Sequence, residues 1–389
     1  MNLAGSKGLA QRKIFHNGVE REYLMYIPPS YSDDKISSIV LNFHGFGSTA
    51  LDQLRLSDWR ELSDENNFIL IYPQGLELPT GGTHWNPDPL SSVNKSDSKD
   101  LGFIRKLLRR TSTTYSIDSS SVFATGFSNG ADMAYGLATY GSRFVAGIAP
   151  VSGLMNEKNI SKSLDNPVGV ISFNGTNDWV RPIQGVEGHL ASTLETSNYW
   201  AQVNNSTQSQ TEQFIQDSGN LVERTTFVQE DGTATVQQYT INRRGHEWFD
   251  INIEGSNLEQ LAWQFFSNFD QQVQDSISTT PSSIVVPMPS SFKRKLIDPI
   301  IGFNSSSDTL RIDADRFEVD ITSNYAVGKN KKQVKKKLAK ENYDFIYDQK
   351  NGGLYFNKNG SDIGFGDDGG IIAVLQEAPR LTAENFVFL

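Results

Sequence analysis

The first sign of chemistry is Gly126-Phe127-Ser128-Asn129-Gly130, a Gly-x-Ser-x-Gly pattern. With 32 glycines in 389 residues such a match arises easily by chance, so its partners must decide. A serine hydroxyl becomes a nucleophile when an adjacent base takes its proton. The chain has five histidines: His16, His44, His84, His189 and His246. An architecture that displays serine on this kind of turn supplies its acid and then its histidine later in the chain. That order leaves His189 and His246. His246, in INRRGHEWFD after the strand-like ATVQQYTI (234–241), is preferred. His189 opens the helical pattern HLASTLETSNYW and reads as a solvated or cleft histidine. The acid must orient the imidazole and stabilise its charged form. Asp178, in NGTNDWVRP at the end of an apolar run, is preferred to Asp165 and Asp217 in polar stretches. Its bland alternative is an Asx-turn cap.

A tetrahedral oxyanion needs two aimed backbone donors. IVLNFHGFGS ends a strand-like run in a glycine loop, which points to the Phe46 N–H. Asn129, next after the serine, points to the second. His44 reads as structural.

These residues need a frame. SSIVLNF, FILIYP (68–73), SVFAT (121–125), FVAGIAPVS (144–152) and VGVISF (168–173) read as buried strands. SKDLGFIRKLLRRTS (98–112) and NGADMAYGLATY (129–140) between them read as helices, and LEQLAWQFFSNFDQQV (258–273) as a closing amphipathic helix. Apolar strands alternating with helices predict an α/β fold, a doubly wound and mostly parallel sheet. The expected division is a first domain over 1–272, a Ser/Thr/Pro linker over 273–292 that cannot continue the helix, and a small α+β or β-rich module over 293–389.

Composition excludes several classes. A net charge of −10 argues against nucleic-acid binding. The absence of cysteine excludes disulfides, thiolate zinc sites and a cysteine nucleophile. No apolar run has bilayer-spanning length, so no membrane insertion is expected. The start, MNLAGSKGLAQRK, lacks the apolar segment of a secretory signal peptide.

REYLMYIPPSY, NFHGFGS, IYPQG, HWN, SKDLGFI, VFATGFSNGADMA, IAPVSG, FNGTNDWVRP and GHEWF, in that order, resemble the poly(3-hydroxybutyrate) depolymerase and feruloyl esterase-like branch of the α/β-hydrolases over about residues 14–270. The resemblance implies an α/β-hydrolase fold with Ser128 as nucleophile, Asp178 as acid, His246 as base, and Trp85 and Trp248 lining the substrate cleft. Many relatives carry cysteines near the oxyanion loop and before the Trp-Asn pair. Here Phe46 or Gly47, and His84, stand in those places.

In the C-terminal region NKKQVKKKLAK (330–340) reads as a solvated amphipathic helix, with Val327, Val334 and Leu338 near one face, rather than a site for an anionic partner. LYFNKNGSDIGFGDDGG (354–370) offers hard oxygen ligands at Asn357, Asn359, Ser361 and Asp362, which suit Ca²⁺, although the spacing is not that of an EF-hand and an Asx-rich turn reads as well. DPIIGFNSSSDTLRID and the run from FIYDQKNGG onward resemble the C-terminal modules of calcium-binding, RTX-type proteins exported by type I secretion, most of all those of marine cyanobacteria. Their glycine-rich nonapeptide repeats are absent. This second resemblance implies export by a type I apparatus without an N-terminal signal. Cytoplasmic residence is the alternative.

The expected protein is therefore a secreted serine esterase that needs no cofactor for catalysis and acts on an ester or polyester. Polyhydroxybutyrate depolymerase is the first reading and a feruloyl or acetyl-xylan type esterase the second. A peptidase or thioesterase would use the same fold. The reading of another class is a non-catalytic polymer- or surface-binding protein on a hydrolase scaffold.

Overall fold

Successive residues of a strand face opposite sides of a sheet, and the first sheet buries both. In β3 (Ser37–Phe43), Ile39, Leu41 and Phe43 join one core cluster and Val40 the other. In β4 (Ile69–Pro73), Ile69 and Ile71 divide from Leu70 and Tyr72 in the same way. The computed structural model describes residues 7–389 except 90–93, 143, 165, 278–282, 290–291, 295–296, 298, 306–307, 313–316, 320–324, 339–342, 359–364, 366–368, 383–384 and 389. The chain forms two compact units, Met1–Gln272 and Val273–Leu389.

Unit 1 carries β1 (Gly8–His16), β2 (Val19–Ile27), β3, β4, the two-residue ribbon of β5 (Leu76–Glu77) and β6 (Thr83–His84), then β7 (Ile117–Phe127), β8 (Gly147–Val151), β9 (Gly169–Gly175), β10 (Gln208–Ile215), β11 (Leu221–Val228) and β12 (Ala234–Ile241). Its ten-stranded sheet has the order β1-β2-β4-β3-β7-β8-β9-β12-β11-β10. The six central strands, β4 to β12, are mutually parallel, and an antiparallel hairpin closes each edge. Helices α3 (Asp100–Ser112), α4 (Asn129–Gly141) and α5 (Thr193–Val203) cover one face. Helices α1 (Ala50–Leu56) and α6 (Leu258–Ile277) cover the other, with Phe266 stacked on Phe123 at 4.6 Å. The short α2 (Arg60–Asn66) precedes β4.

The expected strands and helices are present. At one edge no apolar run announces β10: seven of its eight residues are exposed. The helix expected to open at His189 starts at Thr193, because Ser192 and Glu195 form a capping box there.

Two expectations about the linker fail. Helix α6 continues to Ile277, and Ser283–Val286 is a strand, β13, lying parallel to β15 (Thr309–Ile312). The β-branched run Ile284-Val285-Val286 alternates: Val286 is buried in the unit 2 core and Val285 is exposed.

In unit 2, β20 (Phe386–Phe388) completes the sheet β13-β15-β20. A second sheet runs β14 (Pro299–Ile300), β19 (Gly370–Leu375), β18 (Gly353–Phe356), β17 (Phe345–Asp348), β16 (Tyr325–Gly328). The lysine-rich segment is helix α7 (Lys331–Leu338), which buries Val334 beside Ala326 and Ile346. Asn357 is buried, and its amide donates to the Tyr343 carbonyl at 2.8 Å. Asn359, Ser361 and Asp362 lie outside the described residues. Among the described residues no group of three or more His, Asp or Glu side chains could hold a metal ion, and no helix is long and apolar enough to cross a membrane.

Candidate active site

The residues singled out in unit 1 collect where parallel strands end, the edge at which open α/β sheets build their sites. β7 runs directly into Ser128, whose backbone is bent to φ 53° and ψ −118° before α4 begins. A non-glycine residue held there stores roughly 1–3 kcal/mol of strain, which its surroundings must enforce. The enforcing contacts are visible. The Ser128 N–H donates to the Val151 carbonyl at 3.0 Å, and the Ser128 carbonyl accepts from Asp132 at 3.0 Å. A Cβ on Gly126 would lie 2.6 Å from the Gly130 backbone, and one on Gly130 would lie 2.2 Å from the Phe43 carbonyl oxygen. Both glycines of the motif are required by close backbone approach.

β9 delivers Asp178 and β12 delivers His246. With Asp178 accepting, His246 Nδ1 carries the hydrogen, at 2.8 Å from Asp178 Oδ2. His246 Nε2 then accepts from the Ser128 hydroxyl, also at 2.8 Å. The other carboxylate oxygen, Oδ1, accepts from the Val180 and Arg181 N–H groups, both at 2.8 Å. The two loops are locked together: Asn177 N–H donates to the Arg244 carbonyl at 2.9 Å, and a Cβ on Gly175 would lie 2.3 Å from that same oxygen. Ser152 donates its hydroxyl to the Glu247 carbonyl at 2.7 Å, fixing the residue after His246.

Ser128 is 8% exposed and Asp178 3%. The pair Arg181–Asp132, 2.7 Å apart, ties the acid's loop to the first turn of α4. Asp132 holds the Arg181 guanidinium above its ordinary range, and Asp178 adds to the effect.

Phe46 follows β3, and its ring is half-exposed with Lys95 Nζ 4.1 Å from the ring centre. Among the described residues, neither the Phe46 nor the Asn129 N–H donates a hydrogen bond. His44 is fully buried and structural, as expected. Its Nδ1–H donates to the Gly45 carbonyl at 2.8 Å, and its Nε2 accepts from the Gly75 N–H at 2.9 Å. Burial pushes this imidazole down to about 4.

Trp85 corrects the expectation of a cleft-lining residue. It is 2% exposed, packed edge-on against Phe43, and its indole N–H donates to the His44 carbonyl at 3.0 Å. Trp248 is half-buried against the α6 side of the core, with its indole N–H on Glu259 Oε1 at 2.9 Å. Burial raises the Glu259 carboxyl. His189 is exposed in a turn ahead of α5, and Asp217 is exposed in the β10–β11 turn, so neither joins the site. Asp165 lies outside the described residues.

Sequence reasoning missed three features. The Arg21–Asp100 ion pair, 2.7 Å apart and buried, had no local signal. The Asn129 side chain clamps Trp85, accepting from its N–H at 2.7 Å and donating to its carbonyl at 3.1 Å; both motifs were legible, their contact was not. Trp179, beside the acid, is 86% exposed.

The solved structure of an acetyl xylan esterase from Aspergillus awamori superposes with a TM-score of 0.51 at 19% identity, covering 67% of this chain and 99% of that one. Unit 1 has the α/β-hydrolase fold. The family described as Phospholipase/Carboxylesterase matches residues 30–216 of this chain, a span that holds Ser128 and Asp178 but stops before His246. The chain is 24% identical over 277 residues to a probable feruloyl esterase C of Aspergillus terreus, covering 68% of this chain and 92% of that protein. It is 29% identical over 173 residues to a bifunctional acetylxylan esterase/xylanase of Neocallimastix patriciarum. That match covers 44% of this chain, which spans 24% of that protein's length.

Proposed function

We propose that unit 1 is a serine esterase in which Ser128, His246 and Asp178 form the catalytic triad. The observation that carries this reading is the continuous path Asp178–His246–Ser128, with 2.8 Å at each step. Ser128 Oγ adds to the ester carbonyl carbon while its proton passes to His246 Nε2. The carbonyl electron pair moves onto oxygen, where the Phe46 and Asn129 N–H groups donate. Asp178 stabilises the imidazolium without taking its proton. Collapse of the tetrahedral species expels the alkoxide, which takes the proton from His246 Nε2 and leaves acyl-Ser128. Water then adds to the acyl carbon by the same route and releases the acid. Serine, imidazole, carboxylate and two amides suffice, so the reaction needs no cofactor.

The names of the similar proteins favour acetylxylan or feruloyl esters over poly(3-hydroxybutyrate) as substrate. Ser128→Ala should lower p-nitrophenyl acetate turnover by about 10⁴-fold or more while the fold persists. Turnover near wild type would sink the triad. A panel of acetylated xylan, methyl ferulate and hydroxybutyrate oligomers then ranks the substrates. Retention on a polymer with no turnover of any ester would instead favour the binding-protein reading. For unit 2 the proposed role is export. Deleting residues 293–389 should strand the esterase inside a type I-competent host, and undiminished secretion would dismiss that role.

A further inference from the structure

The two proposed oxyanion donors sit on different segments, and the sheet joins those segments only up to a point. The β3–β7 ladder ends at the pair Phe43–Gly126. Phe46 and Asn129 both lie beyond it, yet donors of this kind must be held within about 0.5 Å to act together.

Trp85 spans the gap. Its indole N–H holds the His44 carbonyl, two residues before Phe46, at 3.0 Å. Its backbone N–H and carbonyl hold the Asn129 side chain at 2.7 and 3.1 Å. The neighbouring residues add to the same tie: the Gly47 N–H donates to the Thr83 carbonyl at 2.8 Å. Trp85 is itself anchored. The Asn86 N–H donates to Asp100 Oδ2 at 2.9 Å, and Asp100 Oδ1 is 2.7 Å from the Arg21 guanidinium. Arg21 in turn lies over the Phe103 ring, 4.0 Å from its centre.

We propose that Trp85 is a positioning residue that fixes the spacing of the Phe46 and Asn129 N–H groups, so that it acts on the transition state and not on binding of the ester. This rests on the reading of Ser128 as the nucleophile.

Trp85→Phe keeps an aromatic ring and deletes the indole N–H. Asn129→Leu keeps the number and branching of side-chain heavy atoms, keeps the backbone N–H and deletes both side-chain bonds. In the full chain each should lower kcat for p-nitrophenyl acetate about tenfold and leave KM within about twofold. The inhibition constant of an aryl trifluoromethyl ketone, whose adduct with serine carries an oxyanion, should rise by the factor that kcat/KM falls. The double variant should lose about tenfold rather than about a hundredfold, because either change alone releases the same tie. Trp59→Phe removes another buried indole bond, to Ser57 Oγ at 2.8 Å, and should leave kcat and the inhibition constant unchanged.

Wild-type kcat and inhibition in folded Trp85→Phe and Asn129→Leu would overturn the proposal, as would losses confined to KM or to thermal stability. Should Trp85→Phe fail to fold, Asn129→Leu decides. Failure of the underlying reading looks different: Ser128→Ala would then remain active. If Ser128→Ala is dead and both positioning variants match wild type, only the role of Trp85 falls.

Discussion

Asp178 and Asp100 are both buried carboxylates, 3% and 1% exposed, yet one faces an imidazole and the other a guanidinium. In the proposed reaction, Asp178 belongs to the half of the site that moves protons. Its partner His246 takes up a proton during the proposed reaction, so the carboxylate's value is expressed in the rate. Asp100 belongs to the half that would hold the oxyanion. Its partner Arg21 is permanently charged, although burial pulls the guanidinium down against the opposing effect of Asp100. The value of this carboxylate is expressed in the folded state. The relay half is built from short loop contacts, the oxyanion half from buried ties that reach across the unit. The lesson is that similar burial of like groups does not imply a similar role; the partner decides, an imidazole for Asp178 and a guanidinium for Asp100.

Exchanging each carboxylate for its amide separates the halves. Asp178→Asn should lower kcat by about 10⁴-fold, since the amide favours the wrong imidazole tautomer. It should change the urea midpoint little, because Oδ1 can still accept from Val180 and Arg181. Asp100→Asn should reverse the pattern. It leaves Arg21 buried without its counter-charge and should lower the unfolding free energy by about 3–5 kcal/mol. The folded fraction should keep much of its turnover. Equal destabilisation by the two variants, or a 10⁴-scale rate loss in Asp100→Asn, would break the distinction.

The same contrast explains what could be read from the sequence. Ser128, Asp178 and His246 follow strand-like runs, so the order of the runs placed them on one sheet edge. The glycines of GFSNG were legible because close backbone approach restricts residue type at a fixed offset from the serine. Trp85 was visible as a residue, but its side chain enters the core and not the cleft, and nothing in HWN fixes which. The Arg21–Asp100 pair joins β2 to α3, two elements far apart in the chain, and an ion pair of that separation has no periodicity. Strand β10 was not legible for the related reason that an exposed edge strand need not be apolar. In unit 2 the lysine-rich helix was legible from Val334, whereas the strand at 283–286 was obscured by the Ser, Thr and Pro around it.

The smallest expected effect concerns His44, which fastens the loop after β3 to Gly75 only while neutral. Its Nε2 must accept from the Gly75 N–H, and protonation there removes the acceptor. Burial lowers this imidazole from 6.5 to about 4; Arg21 adds to that, while Asp52, Asp100 and the Gly45 carbonyl oppose it. A base whose value is depressed in the fold stabilises fully above its unfolded value. The contribution is therefore complete above about pH 6.5, declines as the pH falls toward about 4, and is flat below that. The span corresponds to about 3 kcal/mol. Other groups titrate in the same window, so the measurement is a difference. The gap in unfolding free energy between wild type and His44→Gln, whose amide oxygen can still accept, should shift by about 3 kcal/mol against the wild type from pH 7 to pH 4. A gap that stays constant with pH would show that the loop after β3 does not depend on a neutral His44.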